Sequence, residues 1–408
     1  MATYTYDQPR SQGAANVLKR ARQFTELRWT PIEKMPRTAF IESKENDKEP
    51  VSYYRPWYPN FGLPYSSARI EEKFIGYNVS LETFYTALAN PKSVLYTRNL
   101  LGGGKRMSSW YGMVCSVFGS WCLALPGRRV AKMWGNYDDM EKIDAQTADD
   151  VQLCDILDNP AHVAIITGIK RDENGKVAAV IVTECTRPQN IALEYTPEEF
   201  QHFWLDKYWV FRYKKLDEVP YEPSPYIHLE GDPDLPVPVP NKTLLPDYGN
   251  RANYRLGENV ELNIMEEGWE TLVVENDGKT ETVAAITEPG VIAYAPAKAG
   301  TYRFWCTAGD RVSEAVEVAI TELKLSCTKA EDGTLTVHFE QDGDDALVGC
   351  YVARMDDKFM ARSVEFVNGE KGCADVVIAG LEPTAYQIKG VATNAFGQYS
   401  AKSIAVEV

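Results

Sequence analysis

Apolar residues in ANVLKRARQFTELRW recur at Val17, Ala21, Phe24 and Leu27, the spacing that predicts an amphipathic helix over 14–29. A second helix is predicted from Ser80, a natural N-cap, through Ala89, with Asn90-Pro91 to stop it. The apolar run CSVFGSWCLAL predicts a short helix over 115–125. Two near-continuous apolar runs, HVAIITGIK and KVAAVIVTEC, predict paired strands closed by the turn RDENG. TPEEFQHFW predicts a further helix from Thr196, with Glu198 and Glu199 favourable in its first turn. Past residue 250 the pattern changes. GENVELNI, ETLVVENDG, GVIAYAPAKAG, TYRFWCTAGD and EAVEVAI are short alternating runs separated by turn signals, as in a β-sandwich.

The change of pattern is marked by a boundary. EVPYEPSPYIHLEGDPDLPVPVPNKTLLPDYGN places eight prolines within 27 residues, a composition that excludes helix and central strand and reads as an extended connector. The expected organisation is a mixed α and β domain over 1–215, a proline-rich connector over 216–250, and two all-β domains over 251–321 and 322–408.

Composition narrows the partners. A formal net charge of -15 argues against nucleic acid, whose binders need a basic face. No apolar stretch is long enough for a membrane helix. The opening MATYTYDQPRSQGAANVLKR shows no charged-then-apolar leader. The expectation is a protein that does not leave the cell by that route, or one whose leader is not part of this chain. The eight cysteines form no CxxC pair and no zinc-spaced cluster, so no metal is expected and most should be small buried hydrophobes. GGGK at 102–105 lacks the upstream glycine of a phosphate loop, and Arg106 stands where serine or threonine is required.

Candidate chemistry gathers in the first domain. In WYGMVCSVFGSWCLALP, Cys115 opens a helix just after a glycine-containing turn. Unpaired backbone N–H groups and the helix dipole favour a thiolate there and can bind an oxyanion. The competing reading is a buried core thiol, which is the expected role of Cys122. His162 opens the strand HVAIITGI, where an unpaired imidazole would cost about 1–3 kcal/mol. If DENGK closes as a three-residue loop with Gly175 left-handed, 172 faces 176, 164 faces 184, and Glu184 lies diagonal to His162. A two-residue turn at Asn174-Gly175 would shift the register by one and present Thr183 or Cys185 instead. His202 and His228 read as surface residues.

A Cys-Ser pair at a helix start, an HVAIITG strand about fifty residues on, and a polar residue on the next strand resemble the NlpC-type and CHAP-type cysteine amidohydrolases and peptidases. The resemblance covers about 60–210. It departs from the NlpC pattern at Val114, where that family keeps Asp, and at Val117, where it keeps Gly; a Glu as third residue is closer to CHAP enzymes. It implies a papain-like α+β fold, no cofactor, and cleavage of amide bonds, commonly in cell-wall peptides. Cys115 would be the nucleophile, His162 the base and Glu184 the orienting residue. Tyr65 in FGLPYSSAR would line the pocket, joined by Ser66, Ser116 and Arg69, which would pair with a substrate carboxylate; alternatively this aromatic loop only packs over the core. GLEPTAYQIKGVATNAFGQYSAKSIAVEV resembles the last strands of a fibronectin type III domain, with Leu381, Pro383 and Tyr386 at its tyrosine corner. The two β-domains are expected to be immunoglobulin-like sandwiches that act as spacers or meet a cell surface or glycan, which points to an extracellular or envelope location. The competing functions are an adhesion protein on a degenerate hydrolase fold, and an acyltransferase or transpeptidase using the same diad.

Overall fold

The computed structural model describes residues 4–35, 54–66, 74–77, 79–97, 112–125, 127–246, 253–341, 347–354, 361–363, 367–368, 373–394, 397–400 and 404–408. Arg69 and the 102–105 glycine run lie outside them. Two compact units divide the described chain: residues 4–66 with 112–238, and residues 74–97 with 239–408. The stretch 74–97, expected with the first domain, thus clusters with the C-terminal residues.

The first unit begins with β1 (Thr5–Tyr6) and α1 (Gln12–Thr25). Ser11 caps α1, its Oγ accepting the Ala14 N–H at 3.2 Å, and Ala14, Val17, Ala21 and Phe24 form its buried face. The helix is shorter than its apolar spacing suggests. Leu27 remains buried, but Arg28–Trp29 leave the helix as β2 to pair with β3 (Asn60–Phe61). Helices α2 (Leu81–Leu88) and α3 (Val94–Thr97) belong to the second unit. Back in the first, α4 (Cys115–Cys122) is followed by β4 (Met140–Ile143), β5 (Ile156–Asp158), β6 (Val163–Arg171), β7 (Val177–Cys185), β8 (Asn190–Tyr195), α5 (Pro197–Phe200) and β9 (Trp209–Tyr213).

These strands make one antiparallel sheet in the order β4-β9-β5-β6-β7-β8, with β1 added beside β6. One face buries Ala164, Ile166, Val180 and Val182 against Phe200 and Trp204. Those two aromatics are carried by α5 and the π-helical turn that continues it, started by a capping box between Thr196 and Glu199. Helix α4 packs against β6 and β7. Their approach is close: a Cβ on Gly119 would stand 3.0 Å from Val163 Cγ1 and 3.2 Å from the Trp134 ring. The first half of the proline-rich segment is folded onto α1 rather than free. Asn16 and Gln23 donate to the Val219 and Glu222 carbonyls at 2.7 Å each, and Lys19 pairs with Asp232 at 2.7 Å.

In the second unit, the first sandwich comprises β10 (Leu244–Pro246), β11 (Asn253–Arg255), β12 (Val260–Ile264), β13 (Thr271–Asn276), β14 (Lys279–Ala285), β15 (Gly290–Tyr294), β16 (Gly300–Ala308), β17 (Arg311–Val312) and β18 (Val316–Thr321). The sheet β10-β12-β15 faces β11-β18-β16-β13-β14, with β11 parallel to β18. Leu262, Leu272, Phe304, Cys306 and Val318 fill the space between them. The last strand of the connector region, β10, is an edge strand, the position that tolerates Pro246.

The second sandwich comprises β19 (Leu323–Lys329), β20 (Leu335–Gln341), β21 (Leu347–Arg354), β22 (Ala361–Ser363), β23 (Val367–Asn368), β24 (Cys373–Ile378), β25 (Ala385–Asn394), β26 (Gly397–Ser400) and β27 (Ile404–Glu407). The sheet β19-β20-β24 belongs to the same core as the sheet built on β21 and β25, with Val337, Phe339, Val376, Tyr386 and Ile388 buried. Three strands against a sheet of crossing partners, twice over, is the layering of immunoglobulin-like and fibronectin type III-like sandwiches. Tyr386, expected at the tyrosine corner, is 5% exposed.

Candidate active site

Cys115 is the first residue of α4, and Val114 before it is extended (φ -112°, ψ 167°). The N–H groups of Val117 and Phe118 both bond the Val114 carbonyl at 3.0 Å. The N–H groups of Cys115 and Ser116 precede those bonds and have no carbonyl within the helix. The approach to the helix is stitched on two sides. Tyr65 bridges Met113, the Ser66 N–H donates to the Met113 carbonyl at 3.0 Å, and the Cys185 thiol donates to the same carbonyl at 3.2 Å. Gly112 allows this, because a Cβ there would meet the Pro64 carbonyl at 2.2 Å. Cys115 as a whole is left 9% exposed.

His162 closes the tight connection between β5 and β6. The Asn159 Oδ1 accepts the Ala161 and His162 N–H groups at 2.8 Å each, and the Asn159 N–H returns to the His162 carbonyl at 3.0 Å. This Asx turn fixes the backbone that carries the imidazole. Across the sheet Ala164 pairs with Glu184, and His162 Nε2 meets Glu184 Oε2 at 2.5 Å. Of the two closures the sequence left open, the three-residue one is present. The Asp172 N–H bonds the Lys176 carbonyl at 2.9 Å, and Gly175 is left-handed with φ 78°.

Because Glu184 occupies Nε2, the Nδ1 edge of the ring is the one left for Cys115, whose thiol and the imidazole influence each other's ionisation. The Trp204 and Tyr208 rings stand around the imidazole, each with its centroid 6.3 Å away. The charge states follow from these contacts. Burial opposes ionisation of Cys115, but the hydrogen bond and positive charge of His162, with the N–H groups of Val163 and Ser116, outweigh it and bring the thiol below its ordinary value. Burial also opposes the His162 imidazolium, yet Cys115 and Glu184 raise it to about 9. Each partner favours the other's charged form, and the Glu184 carboxylate favours the imidazolium.

The other thiols contrast with Cys115. Burial pushes Cys122 and Cys185 up, and Cys154 up to about 12. Cys122 is a packed core residue, as expected. Tyr65 lies beside the site: its hydroxyl is pushed up to about 12, by burial first and then by the neighbouring Cys115 and Cys185 sulfurs. Ser66 is wholly buried and Ser116 is 5% exposed. Ser116 lends its N–H to Cys115 and its carbonyl to the Ser120 hydroxyl at 2.8 Å, so its part in the site is backbone. His202 and His228 are exposed, and neither joins the site.

Four contributors were not singled out from sequence. Asn159 had a local signal, since Asn-Pro before a strand marks an Asx turn. Trp204 and Tyr208 are spaced as an ordinary apolar helix face, which hides their place around His162. Arg187, in the β7–β8 connection, lies with its guanidinium carbon 5.6 Å from the Tyr65 ring centroid. Among the described residues no group of three or more metal-ligating side chains occurs, and no helix is long and apolar enough to cross a membrane.

No protein-family description matches the chain, and no curated protein matches it. Solved structures similar to it include the ligand-binding domain of human OSCAR, at 12% identity over 41% of this chain and 97% of that one, with a TM-score of 0.20. A two-domain fibronectin type III segment of chicken tenascin matches at 12% identity over 41% of this chain and 99% of that one, with a TM-score of 0.25. Domains 3 and 4 of rat CD4 match at 14% identity over 38% of this chain and 98% of that one, with a TM-score of 0.23. Similarity at this level carries no argument about what the chain does.

Proposed function

We propose that the first unit is a papain-like cysteine hydrolase that cleaves an amide bond. The observation that carries the reading is the Cys115–His162–Glu184 arrangement: a helix-opening thiol whose ionisation is coupled to an imidazole that meets a carboxylate through Nε2 at 2.5 Å. The Cys115 thiolate attacks the carbonyl carbon, and the N–H of Cys115 is placed to stabilise the oxyanion. His162, protonated in the resting pair, delivers its proton to the departing amine as the acyl-enzyme forms. It then takes a proton from the water that hydrolyses the thioester, and Glu184 holds the ring in one orientation throughout. The resemblance to NlpC-type and CHAP-type enzymes makes cell-wall peptides the first substrate class to try.

The test is site-resolved alkylation with iodoacetamide at about pH 6, where an ordinary thiol of pKa near 8.5 is almost wholly protonated. Cys115 is expected to label far faster than the other cysteines in the folded protein, and to lose that advantage in His162→Ala. Equal, slow labelling of all cysteines would leave the adhesion-protein reading in its place.

A further inference from the structure

We infer that Asp158 is a positioning residue for the Cys115–His162 pair: its carboxylate ties the segment that supports α4 to the strand end that leads into the imidazole's turn. The inference deepens the hydrolase reading and rests on it. Asp158 is the last residue of β5 and is anchored on both sides within the sheet, opposite Val163 of β6 and Trp209 of β9. It is wholly buried, yet no cation pairs with it among the described residues. A buried carboxylate without a cation is costly, so its role lies in what it holds. Its Oδ1 accepts the Lys132 N–H at 2.8 Å, and its Oδ2 accepts the Trp134 N–H at 3.3 Å. Lys132 is left-handed, with φ 74°, a conformation that a residue with a side chain keeps when its surroundings impose it.

The segment 129–134 reaches the nucleophile's helix at two points. The Arg129 N–H donates to Ser120 Oγ at 2.9 Å, and the Ser120 hydroxyl donates to the carbonyl of Ser116, the residue after Cys115, at 2.8 Å. Trp134 is wholly buried, and its ring lies 3.2 Å from where a Cβ on Gly119, one turn beyond Cys115, would stand. The same position on Gly119 lies 3.0 Å from Val163, the residue after His162. On the other side of Asp158, Asn159 holds the Ala161 and His162 N–H groups. Two consecutive acceptor side chains thus serve the two halves of the site: Asp158 the support of α4, Asn159 the turn that bears the imidazole. Removing the carboxylate unpairs two backbone N–H groups and lets α4 shift relative to His162. Ionisation of Cys115 depends on His162, so the shift should be read directly in the thiol.

The experiment follows iodoacetamide alkylation of Cys115 from about pH 5 to 9.5 in wild type, Asp158→Ala and Asp158→Asn, well below the thermal midpoint of each. Asp158→Ala is expected to label about ten- to a hundredfold slower at pH 6, the scale of a misplacement near 1 Å, and to recover toward the range of an ordinary thiol. Asp158→Asn keeps one acceptor oxygen and should lose less. Ser120→Ala loosens the same segment from α4 at its other end and should slow labelling in the same direction; it carries the test if Asp158→Ala does not fold. Slow labelling of wild-type Cys115 at pH 6 brings down the hydrolase reading, and this inference with it. Fast wild-type labelling, with an unchanged rate and pH profile in the folded variants, leaves the diad standing and overturns the positioning role. A merely structural carboxylate gives that second result, because its loss lowers the thermal midpoint and leaves the profile of the folded protein alone.

Discussion

Replacing Glu184 with Gln tests the site at its most specific contact. The substitution keeps shape and one hydrogen bond but removes the charge that meets His162 Nε2 at 2.5 Å. The side chains of His162 and Glu184 are 20% and 12% exposed, so solvent screens the pair only in part. A charge-assisted bond in such a place is worth about 1.5–3 kcal/mol. At 1.36 kcal/mol per tenfold, that moves the balance from thiolate–imidazolium toward neutral thiol–imidazole by roughly 10- to 150-fold. The sign follows from the shifts. The Cys115 thiol lies below its ordinary value and His162 is raised to about 9, so in wild type the ion pair persists between those limits and alkylation is flat across that window. In Glu184→Gln the imidazolium loses support and its pKa falls, so the thiolate forms mainly by ordinary ionisation. Labelling at about pH 6 should then drop by one to two orders of magnitude and recover as pH approaches the range of a free thiol. Alkylation rates from pH 5 to 9.5, with circular dichroism to confirm folding, make the measurement. A folded Glu184→Gln protein that labels at the wild-type rate at pH 6 refutes the claim that the carboxylate supports the ion pair.

Two further substitutions probe the frame. Gly119→Ala should gain about 1 kcal/mol of helix propensity but lose about 1–3 kcal/mol to the contact with Val163 and Trp134. Urea unfolding should show a net loss of up to about 2 kcal/mol; a clear gain would mean that α4 has room to move. Arg212 makes paired bonds of 2.9 and 2.8 Å to Asp155, whose side chain is 1% exposed. Arg212→Ala strands that carboxylate and should cost about 3–5 kcal/mol near pH 7. Burial already pushes Asp155 up against the pull of Arg212, and without Arg212 it rises further. Protonation then relieves the variant as pH falls, so its deficit should be smaller at pH 5 than at pH 8; a deficit independent of pH would place the cost in lost packing instead.

Much of the site was legible because its parts are local. A small apolar helix opened by cysteine, an apolar strand opened by histidine, and a Gly-containing turn between two strands each declare themselves within about ten residues. Two things were hidden. The end of α1 is set by pairing of Arg28–Trp29 with Asn60–Phe61, about thirty residues away in sequence, and the helical spacing of Leu27 carries no trace of it. The aromatic surround of His162 depends on a turn that brings Trp204 and Tyr208 back over the sheet, and the same residues would serve any buried helix face.

The contact between His162 and Glu184 shows how a register can be read correctly through an incomplete picture. An unbroken ladder from the Asp172–Lys176 turn predicts that 164 faces 184, and it does. Yet the ladder is not unbroken. Lys170 pairs with Ala179 and Arg171 with Val177, which leaves Ala178 as an extra residue in β7. Ile166 pairs with Val182 and Gly168 with Ile181, which leaves Thr167 extra in β6. Each irregularity alone shifts the register by one and would move Glu184 to the opposite face; being in opposite strands, they cancel. The turn therefore governs only the first pair of the hairpin. The pairing that matters for the site is held by the segment beyond Thr167, where Ala164, Ile166 and Val182 are packed into the sheet core and the Thr167 and Thr183 hydroxyls bond at 2.6 Å. The register that brings Glu184 to His162 is thus a property of packing at the far end of the hairpin, and the turn sequence agrees with it only because the two bulges balance.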